Sequence, residues 1–289
     1  MKKKVLIIGG GASGLMAAIM AAREGAEVTI LEHMDRVGKK ILSTGNGRCN
    51  MTNLSLRPEH YRSSQKLFPM KVLDRFSVWD TLNFFDGIGI VTKNRNGYIY
   101  PNSDQAASVL DALRFETEHL GIQTVLSCHI KKAWKAKNGM FTVESDQGLF
   151  QGNSLILAAG SKAAPVSGSD GSGYELAGSF GHTIVKPLPA LVQLRCRGTF
   201  FKQLAGVRCE AVVRLVSNGK TLAADEGEVQ LTDYGISGIP TFQVSRYAAR
   251  ALDEGRQVSA LLDFFPSKSM EDTRTMLKQR KAALGYRPS

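Results

Sequence analysis

At 289 residues, with 43% hydrophobic and 22% charged side chains, the chain has the composition of a globular protein with room for two or more domains, which excludes disordered and collagen-like classes. No apolar run approaches the ~20 residues that a membrane-spanning helix needs, so no membrane partner is expected. The net charge of +11 raises the question of a polyanionic partner, but beyond Lys2 to Lys4 the bases are scattered and not interleaved with aromatic side chains, which disfavours nucleic acid.

The first thirty-two residues read as strand, tight turn, helix and second strand. Val5 to Ile8 is a short continuous apolar run, as a strand buried on both faces requires, and Leu15 to Arg23 is rich in Ala and Met and free of Gly and Pro, which favours helix. Between them stands G-x-G-x-x-G at Gly9, Gly11 and Gly14. Gly9 permits the sharp turn, Gly11 removes the side chain that would hold a pyrophosphate away from the backbone, and Gly14 lets the helix lie close to the strand. Ala12 and Ser13 then open a helix whose unpaired N–H groups favour a dianion. Glu32 ends the second strand at the spacing of an acid that bonds ribose hydroxyls and repels a 2′-phosphate. A secretory leader is the competing reading of this basic then apolar start, but three consecutive glycines interrupt it and it leaves the second strand and acid without a role. Cys49, Cys128, Cys196 and Cys209 form no C-x-x-C pair and no metal-ligand spacing with the five histidines, so neither zinc site nor disulfide framework is expected and a reducing cytoplasm fits.

Gly38-Lys39-Lys40 and Ser43 to Asn53 form a segment dense in Gly, Asn and cations. Gly45 and Gly47 flank an Asn beside Arg48, which suits close backbone approach to an anion, although an ordinary surface loop has the same composition. With the opening GGGASGLMAA, the segment GKKILSTGNGRCNMTN resembles the HI0933-like flavoproteins, the family of the aminoacetone-oxidase and bile-acid-pathway types. The resemblance implies an α/β fold: an FAD-binding Rossmann-type domain, an inserted β-rich, barrel-like domain and a helical domain. It implies FAD as cofactor, with Arg48 near the pyrophosphate, Asn50 near the flavin ring and Cys49 as a small packed residue. It leaves open a redox thiol at Cys49 and NAD(P)H as a transient electron donor.

Residues 57–120 read as mostly helical, with Met70 to Phe85 carrying apolar residues at a helical spacing that suits core. Gly97 to Ser103 is similar to the family's G-R-x-F-P-x-S segment, and makes Tyr100 either an aromatic lip over the cofactor or part of a hairpin tip. A helix is expected from Gln105 to about His119, and strands over Gln123 to Lys132 and Met140 to Glu144, with a turn at Asn138-Gly139. In such FAD proteins the chain near Ile130 passes the adenine. Leu155 to Gly160 is a buried strand that resembles their A-T-G segment with Ala159 in place of Thr, and Gly168 to Gly173 is similar to the family's G-S-T-G-D-G-Y segment.

From Pro187 the pattern turns to strands: Leu191 to Arg197, Val207 to Val216 and Lys220 to Leu231, with an Asn218-Gly219 hairpin. Thr232 to Gly238 resembles the family's T-H-x-G-x-S-G motif with Asp233 where His is frequent, and leads into a helix through Leu252. Val258 to Phe264 is a further strand, and Ser269 starts a helix. The expected domains are 1–188, FAD-binding; 189–265, β-rich insertion; and 266–289, the start of a helical domain. Family members continue further and return to the Rossmann domain, so the resemblance implies a C-terminally truncated copy that lacks part of the flavin contacts.

The cofactor path so implied takes in Gly9, Gly11, Ala12, Ser13, Gly14, Glu32, His33, Lys39, Lys40, Ser43, Gly47, Arg48, Cys49, Asn50, Ile130, Ala159 and Gly160, with Tyr100 and Asp233 on the substrate side. No catalytic side chain is assigned, since the flavin itself carries hydride or electron-pair chemistry. The expectation is a cytoplasmic FAD-dependent oxidoreductase of a small molecule. An FAD protein working on nucleic acid and a non-catalytic fragment are the alternatives.

Overall fold

A computed structural model describes residues 2–63, 65, 67–163 and 165–285. The chain divides into two compact units, Met1–Val185 and Lys186–Ser289.

The first unit is built on a four-stranded parallel sheet of β1 (Lys4–Ile8), β2 (Glu27–Leu31), β6 (Gln123–Val125) and β10 (Ser154–Leu157), in the order β10-β1-β2-β6. Ile7 faces Ile156 on one side of β1 and Ile30 on the other. Because successive side chains of a strand point to opposite faces, the run Val5 to Ile8 feeds two cores. Val5 and Ile7 pack with Leu15, Ala18 and Ile19 of α1 (Ala12–Arg23) and with Val109 and Leu113 of α4 (Ala106–His119). Leu6 and Ile8 pack with Ala133 and Val143 from an antiparallel meander of β7 (Ile130–Lys135), β8 (Phe141–Ser145) and β9 (Gly148–Gly152), against which Leu176 and Phe180 at the end of α5 (Ser172–Ser179) also lie. Helices thus cover one face of the sheet and a small second sheet covers the other.

Between β2 and α4 the chain forms a three-stranded sheet from β3 (Thr52–Asn53), β4 (Thr92–Arg95) and β5 (Tyr98–Pro101), and two short helices, α2 (Phe68–Leu73) and α3 (Val78–Gly87). The single helix expected over Met70 to Phe85 is broken. Ser77 starts a new one through a reciprocal cap, its hydroxyl accepting from the Asp80 amide at 3.2 Å while Asp80 accepts from the Ser77 amide at 2.7 Å. The strand expected over Gln123 to Lys132 is also two elements. Ser127 takes a left-handed φ of 51° between them, and β6 and β7 go to different sheets.

In the second unit β11 (Leu194–Arg195), β12 (Arg208–Ser217), β13 (Lys220–Thr232), β14 (Gly235–Gly238) and β15 (Ser259–Asp263) make an antiparallel sheet in the order β11-β14-β13-β12-β15. The order leaves β11 and β15 as edges, so among the described residues the sheet is open. Of the strand expected over Leu191 to Arg197 only β11 pairs, and Leu191 has a φ of 55°. Asn218 and Gly219 both take positive φ, as the tight hairpin joining β12 to β13 demands. Ala211, Val213 and Leu215 alternate along β12 and form the core with Val229, Leu231 and the Val244 and Ala248 positions of α7 (Ile239–Asp253). The helices α6 (Phe201–Leu204) and α8 (Met270–Leu284) complete the unit, and Ser269 caps α8 by accepting from the Asp272 amide at 3.1 Å. No helix of the described residues is long and apolar enough to cross a membrane.

Candidate functional site

The parallel strands deliver Gly9, Glu32 and Ala158 side by side, each the residue after the last of its strand. Gly9, at φ 104°, turns so close to β10 that a Cβ would stand 2.5 Å from the Ala158 carbonyl oxygen. At Gly14 a Cβ would overlap the Gly9 carbonyl oxygen, so the first turn of α1 rests directly on the chain leaving β1. Gly11 is different. It caps α1 without a side-chain hydrogen bond, and nothing lies within 4 Å of the place a Cβ would occupy. No acidic residue occupies the first turn of α1, so its free N–H groups and partial positive charge are unopposed.

Glu32 is buried and doubly held. One carboxylate oxygen accepts from the Gly10 amide at 2.6 Å and the other from the Met34 amide at 2.8 Å. The Gly10 carbonyl in turn accepts from the Gly38 amide at 2.8 Å, which draws the segment after β2 over the glycine turn.

These elements enclose a cavity of about 600 Å³. Of the residues expected on the cofactor path, Gly9, Gly11, Ala12, Ser13, Glu32, His33, Lys39, Lys40, Cys49, Asn50, Ala159 and Gly160 line it. Lys39 pairs with Asp35 at 2.6 Å, and the Lys40 ammonium reaches the Ser169 hydroxyl at 3.4 Å. The His33 ring nitrogen lies 3.5 Å from the Glu32 carboxylate, and its ring is 6.1 Å from that of His129. Cys49 takes a left-handed φ of 59°, and burial pushes its thiol pKa up while a hydrogen bond with Thr44 opposes this. A raised pKa keeps the thiol protonated, the opposite of a reactive thiolate.

The remaining expected residues lie outside the lining. Gly14 is behind the turn and serves packing. Ser43, Gly47 and Arg48 are exposed on the 43–50 loop, and the charge of Arg48 helps hold the Asp104 carboxyl below its usual range, after the larger effects of Lys93 and Arg95. Asp104 bonds Lys93 at 2.5 Å and Arg95 at 2.6 Å. Tyr100 packs on the same loop, its ring 3.5 Å from the Cβ position of Gly45, with the Arg95 guanidinium 5.8 Å from its centroid. Its hairpin turns at Asn96-Gly97, both at positive φ, so Tyr100 lies along β5 and not at the tip. The Ile130 side chain packs into the core beneath the meander. Asp233 lies in the second unit, between β13 and β14.

Sequence reasoning did not assign Met34, Arg36, Met51, Phe76, Thr81, Phe84, Phe85, Val109, Leu113, Ser167, Gly168 or Ser169, which also line the cavity. The helical spacing of the aromatic residues was visible, but it reads equally as core. Gly168-Ser169 lay in a segment matched to the family without a role. Among the described residues no cluster of His, Cys, Asp and Glu could hold a metal ion.

A parallel sheet whose carboxyl ends present a glycine turn, a bare helix N-terminus and a held acid defines a dinucleotide-binding protein of the Rossmann type. The chain belongs to the HI0933-like family: the model of the HI0933-like protein Rossmann domain matches residues 3–256. It is 45% identical over 273 residues to a 3-dehydro-bile acid delta(4,6)-reductase of Clostridium scindens, covering 94% of this chain and 66% of that one. It is 28% identical over 280 residues to a ribosomal RNA dihydrouridine synthase of Haemophilus influenzae, covering 95% and 67%. The chain thus spans about two thirds of the length of these relatives. A flavocytochrome c3 fumarate reductase in an open conformation superposes with a TM-score of 0.47 at 15% identity, over 72% of this chain and 47% of that one.

Proposed function

We propose that the cavity holds FAD and that the protein is an FAD-dependent oxidoreductase, a reductase of a small organic acid of the bile-acid type with NAD(P)H as electron donor. The observation that carries the cofactor reading is the empty space beyond Gly11 at the bare start of α1. A pyrophosphate fits there, against the first-turn N–H groups of α1, and any side chain at Gly11 would take its place. Glu32 fits the ribose, since each of its oxygens spends one lone pair on a backbone amide and keeps capacity for a hydroxyl. Bound FAD supplies the hydride or electron-pair transfer. The chain's own residues bind and orient: Lys40 and Arg36 bring positive charge to the phosphate path, and Asn50 offers an amide to the polar edge of a ring system. The name of the bile-acid reductase relative supports the substrate class. The four free cysteines are compatible with a reducing cytoplasm.

The test is the absorption spectrum of the purified protein, with and without added FAD. Yellow flavin taken up on adding FAD, bleached by NAD(P)H and restored by a 3-dehydro-bile acid that carries the 4,6 double bonds as electron-pair acceptor, is the expected result. A colourless protein that takes up no added FAD overturns the reading.

A second reading has one observation behind it, the relatives named as ribosomal RNA dihydrouridine synthases, to which the charge of +11 is congenial. Tight RNA binding that weakens steeply with salt, together with flavin-dependent reduction of uridine in ribosomal RNA, would favour it.

A further inference from the structure

Part of the cavity wall is apolar and aromatic. It is formed by Met51, Phe76 and, from α3, Thr81, Phe84 and Phe85. Thr81 is the one hydroxyl that α3 contributes, and it donates to the Ser77 carbonyl at 3.0 Å. Phe84 is fixed from outside: the Arg23 guanidinium lies 5.2 Å from its ring centroid and is itself held by Glu116 at 2.7 Å. Phe85 meets Phe84 edge-on, centroids 5.2 Å apart at 84°. The one hydroxyl of this wall is therefore spent on the helix backbone, while the charged residues Glu32 and Lys40 line the same cavity. Phe76 differs from its neighbours in being 39% exposed, and it belongs to the break between α2 and α3.

A surface of this kind rewards an apolar ring by area and aromatic contact, and would leave the carbonyl and imide rim of a flavin without partners. We propose that this aromatic bay is the substrate subsite, taking a flat, apolar, ring-bearing molecule, and that Phe76 is its specificity-determining residue. The proposal rests on the reading of the cavity as the FAD site, and it commits the bay to substrate rather than to cofactor. Phe84, only 7% exposed, forms the floor of the bay, and Phe76, the most exposed of its aromatic rings, forms its rim.

The experiment measures binding of androst-4-ene-3,17-dione to the full chain by equilibrium dialysis, in the wild type, Phe76→Ala and Phe76→Leu, alongside the flavin-to-protein ratio of each. The expected result is an unchanged flavin ratio in all three, with steroid affinity reduced about ten-fold or more in Phe76→Ala and partly restored in Phe76→Leu. A flavin ratio that drops in Phe76→Ala gives the bay to the cofactor and overturns the proposal. So does steroid affinity that is absent in the wild type or indifferent to Phe76. If the wild type holds no flavin but binds steroid in a Phe76-dependent way, the cofactor reading fails and the bay stands.

Discussion

The carboxylate of Glu32 accepts from the amide of Gly10 at 2.6 Å, so the acid that closes β2 also pins the turn that closes β1. The shape of the glycine turn thereby depends on one side chain, which on the proposed reading also takes the ribose. On the proposed reading Glu32→Ala removes the acceptor for ribose and strands the Gly10 and Met34 amides, and FAD affinity should fall by about 1–3 kcal/mol, roughly five- to 150-fold. Glu32→Gln keeps a carbonyl acceptor and should lose less. Titration of apoprotein with FAD, followed by flavin fluorescence, measures both; equal affinities in wild type and Glu32→Ala would remove Glu32 from the site.

Gly11 and Gly14 should separate binding from folding. Gly11→Val projects into open space, so the thermal midpoint should hold while flavin retention is lost. Gly14→Ala drives a methyl into the Gly9 carbonyl and should cost about 1–3 kcal/mol of stability, as overpacking does. Thermal denaturation and flavin content of the two variants check this together. A Gly11→Val protein that keeps its flavin would show that this turn does not cradle phosphate.

Burial raises the thiol pKa of Cys49, and likewise those of Cys128, Cys196 and Cys209. Since the thiolate is the nucleophile, alkylation should be slow at pH 8 and accelerate only at higher pH than for a free thiol. Cys49 lines the cavity, so added FAD should slow its labelling further. Mass spectrometry after iodoacetamide treatment reads each site, and rapid labelling of Cys49 at pH 7 would contradict its packed, protonated state.

Lys93, then Arg95 and Arg48, hold the Asp104 carboxyl below its usual range, against an opposing effect of desolvation. A depressed folded-state pKa means the contribution to stability is complete above the ordinary carboxylate value and is lost as pH falls through the lower folded one. Wild type should therefore lose more stability than Asp104→Asn between pH 5 and about 3. Urea midpoints at the two pH values test the difference. Equal slopes would mean that the pair is spectator to folding.

The unit from β1 to Glu32 was legible because its determinants are local: an apolar run, glycines at fixed spacing, an Ala-rich helix and an acid at a strand end. The Asn218-Gly219 hairpin was legible for the same reason. The aromatic bay was not, since Phe84 is both a core residue and a cavity wall, and hydrophobic spacing cannot tell the two apart. The break at Ser77 was written in the chain as Ser77 to Asp80, but the apolar period ran across it and masked it. Arg48 and Tyr100 are placed by the pairing of Thr52 with Ile99, a contact between segments far apart in sequence that no local pattern announces. Asp233, carried over by motif alone, belongs to a unit folded around its own core.

The register of Ile7 against Ile156 sets a schedule for synthesis. β2 is made soon after β1, whereas β10 is made only after the whole stretch from β2 through β9. At about 5–20 residues per second, something on the order of ten to thirty seconds separates the strand from its second partner. Through that interval one side of an apolar strand has its hydrogen-bonding groups unclaimed, the condition in which nascent chains pair with each other or recruit a chaperone. Codon choice and growth temperature, which leave the finished protein untouched, should therefore alter how much of it is recovered folded.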